Sequence, residues 1–346
     1  MDHAEKSDED ISAIYVDTGT TNTRGWLMCG DAILARARKP VGVRDTARDR
    51  APTKLHAALK ELTGELQSEA DGLATPVPTC IVAAGMISSP LGLAEVEHVQ
   101  APVNAAEIAT ATRVFNFPEI TELPIFLVPG VRSGAPDASR DSVDNVDVMR
   151  GEETLCFGLL HRGILRPPGV VLTLGSHWKG IQLDTNGRIQ SSMTSLSGEL
   201  IQAAQTRTIL ASSVANDWPG QMAHDWLEAG MEEQRRSGLS RALFCVRLLD
   251  LQGEGTPQDR LAYLVGAFIA TDLEALIPRD VVAGDIQVVI SGHQPIAEAW
   301  AFALDRISLS TFVVSDEETE KAFLSGLNSI LIGATSTKES TKSYGH

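Results

Sequence analysis

The sequence predicts an α/β fold in two domains, and three observations support this prediction. The chain has 346 residues, and a single hydrophobic core rarely grows beyond roughly 250–300 residues. Short apolar runs typical of buried strands alternate with segments of helical periodicity, which favours a sheet covered by helices. A strand–turn–strand pattern at residues 14–28 recurs at residues 170–183, so each predicted domain contains one copy.

The two copies of this pattern are separated by residues 166–169, Arg-Pro-Pro-Gly, which are typical of a domain boundary. We therefore place an N-terminal domain at residues 11–165 and a C-terminal domain at residues 166–335. The polar ends, residues 1–10 and 336–346, lack periodicity, and we expect them to be disordered tails.

The predicted elements follow the chain in order. In the first half, Leu55, Leu59, Leu62 and Leu66 recur at helical spacing and predict an amphipathic helix. A polar stretch at residues 132–147 predicts a surface loop, with a helix starting near Met149. In the second half, we predict helices from Glu199 to about Leu210 and from Leu261 to Ile277. The predicted strands are residues 14–16, 25–28, 79–84, 124–128, 170–174, 180–183 and 286–290.

The charge balance limits the classes of partner that the protein can bind. With 29 basic and 45 acidic residues the net charge is −16, which disfavours nucleic acid and anionic membranes as partners. A local basic pocket for a small anionic substrate stays compatible with this charge. The four scattered cysteines have no metal-ligand spacing, and no signal peptide is recognisable, so we expect a reducing, cytoplasmic location.

The first turn, residues 17–24, carries the first candidate site. Short hydroxyl residues and a glycine allow backbone N–H groups to face an anion, here a phosphate. Asp17, at the end of its strand, is a candidate Mg²⁺ ligand, and Arg24 is a candidate for binding a carboxylate or phosphate. The alternative is an ordinary β-hairpin with polar turn residues. The candidate phosphate-binding residues are Gly19, Thr20, Thr21 and Asn22.

The second turn resembles the first in design. Gly175 and Ser176 are candidate phosphate-binding residues, and the alternative is again a plain hairpin. His177 is either a structural histidine or part of the site, and Lys179 is either solvated or adds positive charge to the site. Two such turns in one chain predict that a nucleotide is held between two domains.

Two further segments carry candidate residues. At residues 150–153, a glutamate could serve as general base, with Arg150 binding an anionic group; the alternative is a solvated helix N-terminus. Gly292 and His293 follow a strand and fit close backbone approach to a nucleobase or ribose; the alternative is a plain strand-to-helix turn. The sequence lacks a P-loop, a Gly-x-Gly-x-x-Gly fingerprint, a His-Glu-x-x-His motif and a Gly-x-Ser-x-Gly motif.

Taken together, these segments resemble the 2-dehydro-3-deoxygalactonokinases within the sugar-kinase, Hsp70 and actin superfamily. Thr18 and Leu174 depart from the family pattern, where Trp and Pro are expected. The matching segments are residues 17–26, 84–89, 128–131, 148–154, 174–179 and 197–200.

The resemblance implies ATP-dependent phosphorylation of the 6-hydroxyl of 2-dehydro-3-deoxy-D-galactonate with Mg²⁺. It also implies two ribonuclease H-like domains with a nucleotide cleft between them. By the order of the family's motifs, Glu152 is the catalytic base with Glu153 close behind it. The implied substrate-binding residues are Arg24, Gly85, Met86, Arg150, His177 and Lys179.

Two other functions stay open. One is a phosphatase of the same superfamily, acting on polyphosphate or a nucleotide. The other is a non-catalytic sensor of sugar acid or ATP. A homodimer is a further possibility for the assembly of the protein.

Overall fold

The chain is divided into two compact units. The computed structural model describes residues 11–73, 76–279, 281 and 286–343. One boundary lies between Gly163 and Ile164, close to the predicted boundary, and a second lies between Glu320 and Lys321. Unit 1 therefore combines the N-terminal part of the chain with the segment from Lys321 onward, and unit 2 is the continuous stretch between the two boundaries.

Unit 1 is built on a mixed sheet. Its described strands are β1 (Ser12–Thr18), β2 (Thr23–Cys29), β3 (Ala32–Lys39), β4 (Ile81–Gly85), β5 (Val99–Gln100), β6 (Arg113–Phe117), β7 (Thr121–Leu127), β8 (Val131–Ser133) and β9 (Asp147–Met149). Its described helices are α1 (Val43–Asp49), α2 (Thr53–Leu73), α3 (Ala105–Ala111) and α4 (Glu152–His161). Among the described residues, the main sheet has the order β3-β2-β1-β4-β7-β6, and β5, β8 and β9 form a separate small sheet.

The first strands of the main sheet form an antiparallel meander, and β4 and β7 then continue in parallel with β1. This is the strand arrangement of the ribonuclease H-like fold. The predicted amphipathic helix is confirmed as part of α2, because Leu55, Leu59, Leu62 and Leu66 are buried against Ile14 and other strand residues. Residues 132–147, predicted as a loop, also contribute to the short strands β8 and β9.

Unit 2 repeats the same sheet design. Its described strands are β10 (Gly169–Leu174), β11 (Trp178–Leu183), β12 (Ile189–Ser195), β13 (Gln287–Gly292) and β14 (Thr311–Val314). Its described helices are α5 (Ser197–Arg207), α6 (His224–Ser237), α7 (Leu239–Gln252), α8 (Pro257–Leu276) and α9 (Gln294–Asp305). Over the described part of the chain the strand order is β12-β11-β10-β13-β14, with β10, β13 and β14 parallel. The predicted α/β fold class with two ribonuclease H-like units is thus confirmed.

Helix α8 forms the centre of the unit 2 core. With the turn that follows it, residues Pro257–Arg279 are long and apolar enough to cross a membrane by length and composition, but 72% of the most apolar window is buried within the protein. Leu261, Leu264, Phe268 and Leu273 pack in the core cluster of this unit. The burial indicates the core helix of a globular unit.

The C-terminal helix differs from the sequence expectation. Helix α10 (Asp316–Ser343) is assigned to unit 1 from Lys321 onward, whereas we expected residues up to 335 in the C-terminal domain. Tyr15 on β1 donates a hydrogen bond to Asn328 at 2.9 Å. Gly158 on α4 lies directly against the backbone of Ala322. These long-range contacts leave no periodic signal in the sequence.

The expected disordered tails have different outcomes. Residues 336–343 form the end of α10, whereas we expected a disordered tail from residue 336 onward. This stretch contains neither glycine nor proline, so it includes no strong helix breaker. Residues 1–10 and 344–346 lie outside the described residues.

Candidate active site

Asp17 lies near the end of β1, where the first turn begins. Arg24, its register partner on β2, donates to Asp17 Oδ2 from Nη2 at 2.6 Å and from Nε at 3.2 Å. The side chain of Asp17 is 15% exposed and that of Arg24 is 57% exposed. The carboxylate is therefore held at the open end of the sheet by a partner that is itself largely in solvent.

The first turn is fixed from behind by helix α1. Gly19 O and Thr20 O accept hydrogen bonds from the N–H groups of Val43 at 3.2 Å and Arg44 at 2.9 Å. In a trans peptide the C=O and the next N–H point in opposite directions. The N–H groups of Thr20 and Thr21 are consequently directed away from α1, toward the accessible side of the turn.

Two side chains of this turn already take part in hydrogen bonds. Asn22 donates from Nδ2 to Thr21 Oγ1 at 2.9 Å, and Arg38 donates to Asn22 Oδ1 at 3.0 Å. Thr21 is exposed, and Gly19, Thr20 and Asn22 are half-buried. An anion at this turn would therefore meet backbone N–H groups and one exposed hydroxyl residue, as at other backbone anion sites.

Two glycines bring the segment after β9 next to Asp17. Gly85 ends β4 with φ +83°, and a Cβ there would lie 2.6 Å from Thr18 O and 2.9 Å from Asp17 Oδ1. Gly151 has φ +106°, and a Cβ there would lie 3.3 Å from Gly85 Cα. Both positions need glycine for space and conformation. The structure thus groups Asp17, Gly85 and Gly151 at one end of the unit 1 sheet.

The two glutamates after Gly151 occupy different environments. Glu153 is fully buried, and both of its carboxylate oxygens accept from Gly151 N–H at 2.8 Å. Glu152 is half-buried, and its Oε2 accepts from Arg150 N–H at 3.1 Å. Because α4 begins at Glu152, both carboxylates also benefit from the N-terminal end of the helix dipole. Of the two, only Glu152 reaches solvent.

The guanidinium of Arg150 is already hydrogen-bonded to the segment at residues 88–96. Its guanidinium donates from Nη1 to Ser88 Oγ at 3.0 Å and from Nη2 to Val96 O at 2.8 Å. Burial lowers the pKa of Arg150, and the nearby carboxylate of Glu153 works against that shift. Met86 is half-buried and opens the 3₁₀ turn Met86–Ser88 that follows Gly85. Arg150 therefore ties this turn to the start of α4.

In unit 2, the second turn repeats the construction of the first. Ser176 O accepts from Glu199 N–H at 2.8 Å, in the first turn of α5. A Cβ on Gly198 would come within 2.6 Å of Ser176 O and closer still to Gly175 O. Gly175 and Ser176 are both exposed. The turn is held from behind by a helix while its outer side stays open.

His177 and Lys179 follow this turn. His177 Nδ1 lies 3.2 Å from Ser176 Oγ, and the ring is half-buried. Lys179 on β11 pairs in register with Thr173 and is only 4% exposed. The alternative of a solvated Lys179 is therefore wrong, because its stem and head are enclosed by the unit 2 sheet and its surroundings.

Gly292 and His293 lie beside the same end of the sheet. Gly292 pairs with Leu174, and a Cβ on Gly292 would lie 2.6 Å from Leu174 Cβ. The exposed ring of His293 is 5.6 Å from the ring of Trp218. Trp218 was not among the predicted site residues. A tryptophan within a polar stretch was the signal available, since such a ring is seldom placed near solvent without a contact.

Within the described part of the chain, side chains that could bind a metal ion do not cluster. The described residues contain no group of three or more His, Cys, Asp or Glu side chains placed to hold a metal ion. In phosphoryl transfer, Mg²⁺ is usually bound by one or two carboxylates together with substrate phosphates and water. Asp17 is the candidate carboxylate for such an ion at the first turn.

Comparison with known proteins gives a consistent result. The profile of the 2-keto-3-deoxy-galactonokinase family matches residues 17–330. The 2-dehydro-3-deoxygalactonokinase of Escherichia coli (strain K12) is 26% identical over 320 residues, which cover 92% of this chain and 96% of that protein. A crystal structure of a candidate 2-dehydro-3-deoxygalactonokinase from Sinorhizobium meliloti superposes with a TM-score of 0.71 at 23% identity, covering 92% of this chain and 97% of that one.

Proposed function

Because this chain belongs to the 2-keto-3-deoxy-galactonokinase family, it is a sugar-acid kinase, and we propose how its residues carry out the reaction. The reaction transfers the γ-phosphoryl group of ATP to a hydroxyl of 2-dehydro-3-deoxy-D-galactonate, and we propose the 6-hydroxyl as the acceptor. The family assignment disfavours the phosphatase and the sensor as alternatives.

One observation carries the assignment of roles, namely the grouping of Asp17, Gly85 and Gly151 beside the first turn. It brings a carboxylate, a turn with outward N–H groups and a helix start with two glutamates to one end of the unit 1 sheet. Phosphoryl transfer needs these three kinds of group: an oxygen ligand for Mg²⁺, donors for phosphate, and a base for the acceptor hydroxyl.

We assign the base to Glu152. A base must reach the proton that it accepts, and the side chain of Glu152 reaches solvent whereas Glu153 is fully buried. As the acceptor oxygen forms its bond to the γ-phosphorus, the bond from that phosphorus to the bridging oxygen of ADP breaks. The hydroxyl proton passes to Glu152. Glu153 keeps Gly151 in place through its two hydrogen bonds.

We propose that Asp17 binds Mg²⁺, directly or through water. When bound, Mg²⁺ neutralises charge on the phosphate oxygens during transfer. Arg24 would then exchange its contact with Asp17 for one with a phosphate or with the substrate carboxylate, since Arg24 is largely exposed.

The remaining contacts are proposed for ATP and for the sugar acid. In unit 1, the turn from Gly19 to Asn22 would bind phosphate through the outward N–H groups of Thr20 and Thr21, since Gly19 N–H donates to Asn22 O at 2.9 Å. In unit 2, the turn at Gly175 and Ser176 would bind phosphate in the same way. Gly292, His293 and Trp218 would flank the adenosine, because aromatic faces support stacking on a base. The proposed sugar-acid contacts are Gly85, Met86, Arg150, His177 and Lys179.

We propose a more limited role for Arg150 than direct binding of the substrate carboxylate. Since Nη1 and Nη2 already donate to Ser88 and Val96, we propose that it mainly orients the turn at Met86. Its positive charge still favours an anionic substrate nearby.

The direct test is ADP formation by the purified protein with ATP and Mg²⁺, with and without the sugar acid. Formation of ADP only with the sugar acid supports the kinase, and phosphate release without it would favour a phosphatase. A panel of 2-keto-3-deoxy sugar acids, including the gluconate-derived epimer, identifies the preferred substrate. Analysis of the sugar product by NMR then identifies the phosphorylated hydroxyl.

The assignment of the base is tested separately. We expect Glu152→Gln to lower kcat by roughly 100- to 10,000-fold with folding intact, the usual contribution of a general base. The matched variant Glu153→Gln should mainly lower thermal stability, because it alters a buried carboxylate with two hydrogen bonds to Gly151. Near-normal turnover of Glu152→Gln would refute this assignment.

We also propose a cytoplasmic location, in keeping with the scattered cysteines, and a homodimer as the assembly to be tested by the mass of the protein in solution.

A further inference from the structure

A buried carboxylate in unit 2, outside the residues assigned above, links a core helix to the second turn. Asp272 on α8 is 6% exposed. Its Oδ2 accepts from Ser195 Oγ at 2.6 Å, and its Oδ1 accepts from Ser197 Oγ at 3.0 Å. Ser195 Oγ also lies 3.0 Å from Ser197 Oγ. Burying a carboxylate is costly, so this network calls for an explanation.

The network fixes the start of helix α5. Ser195 ends β12, and Ser197 is the first residue of α5. The residue before the helix, Leu196, supplies no side-chain cap. Through the two serines, Asp272 is therefore hydrogen-bonded to the last residue of the strand and to the first residue of the helix.

The start of α5 in turn fixes the second turn. Gly198, next to Ser197, lies directly against Gly175 O and Ser176 O, with no room for a side chain. Glu199 N–H donates to Ser176 O at 2.8 Å. With Ser176 O held toward α5, the N–H of His177 must point the opposite way, because the peptide is trans. The direction of this N–H thus depends on α5.

We propose that Asp272 is a positioning residue for nucleotide phosphate: acting through Ser197 and the start of α5, it orients the turn at Gly175 and Ser176. This inference rests on the proposed function in one respect, that the second turn binds ATP phosphates. Asp272 itself contacts neither ATP nor sugar acid.

A matched control exists in the same unit. Asp250 on α7 also accepts from a serine hydroxyl, Ser213 Oγ at 2.9 Å. Its other partners are Arg247 and Arg260. None of these contacts involves the second turn or α5. Asp250→Ala therefore measures what loss of an internal carboxylate does to unit 2 in general.

The experiment compares ATP with adenosine. Dissociation constants of both ligands are measured by calorimetry on the full-length protein and on Asp272→Ala, Asp272→Asn and Asp250→Ala. We expect Asp272→Ala to weaken ATP about tenfold, the scale of one hydrogen bond to a charged group, and to leave adenosine nearly unchanged. Asp272→Asn keeps an acceptor for one serine and should recover part of the ATP affinity. In turnover, KM for ATP should rise more than KM for the sugar acid, because His177 and Lys179, two proposed sugar-acid contacts, follow the same turn.

Equal weakening of ATP and adenosine, or an equal loss of ATP affinity in Asp250→Ala, would overturn the inference. If Asp272→Ala does not fold, Ser197→Ala removes the relay hydroxyl with little change in volume and must give the same selective loss of ATP. The binding assay does not need turnover. If the wild-type protein binds ATP but forms no ADP with any sugar acid, the proposed function fails while the role of Asp272 is still decided by the ATP and adenosine affinities.

Discussion

The two turns are built alike but supported differently. In unit 1, carbonyls of the turn accept from the first N–H groups of α1, and in unit 2 a carbonyl of the turn accepts from the first turn of α5. Helix α1 is stabilised locally, since Gly42 N–H donates to Asp45 Oδ2 at 3.2 Å. Helix α5 is instead stabilised by Asp272, which is 75 residues away from Ser197 in sequence. A local support is visible in the sequence, and a distant one emerges only in the fold.

The strand ends also differ in charge. Asp17 pairs with Ala84, the residue before Gly85, and Thr173 pairs with Ser291, the residue before Gly292. The equivalent positions are thus a carboxylate in unit 1 and a hydroxyl in unit 2. Because Mg²⁺ prefers carboxylate oxygen, the metal role belongs to unit 1 in our proposal, and unit 2 contributes donors.

The largest expected effect tests this difference in charge. Replacing Asp17 with Asn should lower kcat roughly 100- to 1,000-fold, the scale for removing one charge-stabilising group, and raise the Mg²⁺ concentration required. Thr173→Val, at the equivalent position, should cost far less. Steady-state kinetics over a Mg²⁺ titration measures both variants. Equal losses of kcat in Asp17→Asn and Thr173→Val would contradict the proposed difference between the two units.

The next effect tests the close packing behind Asp17. Gly85→Ala places a Cβ against Thr18 O and Asp17 Oδ1 at φ +83°, and we expect it to lower the free energy of unfolding by about 2 kcal/mol. The control Gly64→Ala, on α2, meets no atom within 4 Å and should raise stability by up to about 1 kcal/mol. Urea unfolding measures both variants. If Gly85→Ala leaves the free energy of unfolding unchanged, the close approach of Gly85 to Thr18 and Asp17 is contradicted.

A smaller effect tests the local support of the first turn. Asp45→Ala removes the acceptor for Gly42 N–H, and such caps contribute about 1 kcal/mol. The side chain of Asp45 is 20% exposed, so water can replace part of the lost contact. ATP affinity should therefore fall less than in Asp272→Ala. A larger fall, measured by the same calorimetry, would reverse the ranking of the two supports.

The smallest effect is a pH dependence of stability. Burial raises the pKa of Asp272 above its ordinary value of 3.8, partly offset by the hydroxyls of Ser195 and Ser197. The carboxyl group of Asp272 therefore holds its proton more tightly in the folded protein than in the unfolded chain. This difference contributes to the free energy of unfolding in full below about pH 3.8, and the contribution is lost as pH rises through the folded-state pKa. Asp272→Asn does not titrate. The Tm of Asp272→Asn minus the Tm of the wild-type protein should consequently increase from about pH 4 toward pH 7. If this difference in Tm is the same at every pH, the raised pKa of Asp272 is contradicted.

The sequence predicted those parts of the fold that depend on neighbours along the chain. The hairpin around Gly19 and the apolar spacing of Leu55 to Leu66 follow from local patterns, as does the strand before Gly292. The residue types of the two turns indicated phosphate binding, and the family resemblance supplied the role of Glu152 as base; all of these roles stay proposals. Asp45 was also available as a local capping residue, three positions after Gly42, although the sequence analysis did not use it.

Contacts between distant residues were beyond prediction from one sequence. The approach of Gly151 to Gly85 depends on where β9 and β4 end in space. Arg150 was expected to bind substrate, and its bonds to Ser88 and Val96 connect residues more than 50 positions apart. Glu152 and Glu153 are adjacent in sequence, and only their burial separates them. Periodicity and motif spacing carry no information on such pairs.

The assignment of the last helix to unit 1 has a consequence for synthesis of the protein. Tyr15 and its partner Asn328 are 313 residues apart, so at 5–20 residues per second the ribosome needs roughly 15–60 seconds between them. Unit 2 is translated completely during this interval. The surfaces of Tyr15, Trp26 and Gly158 that meet α10 stay uncovered until then. Truncation of the chain at Glu320 would therefore harm the first unit to be translated and spare the second.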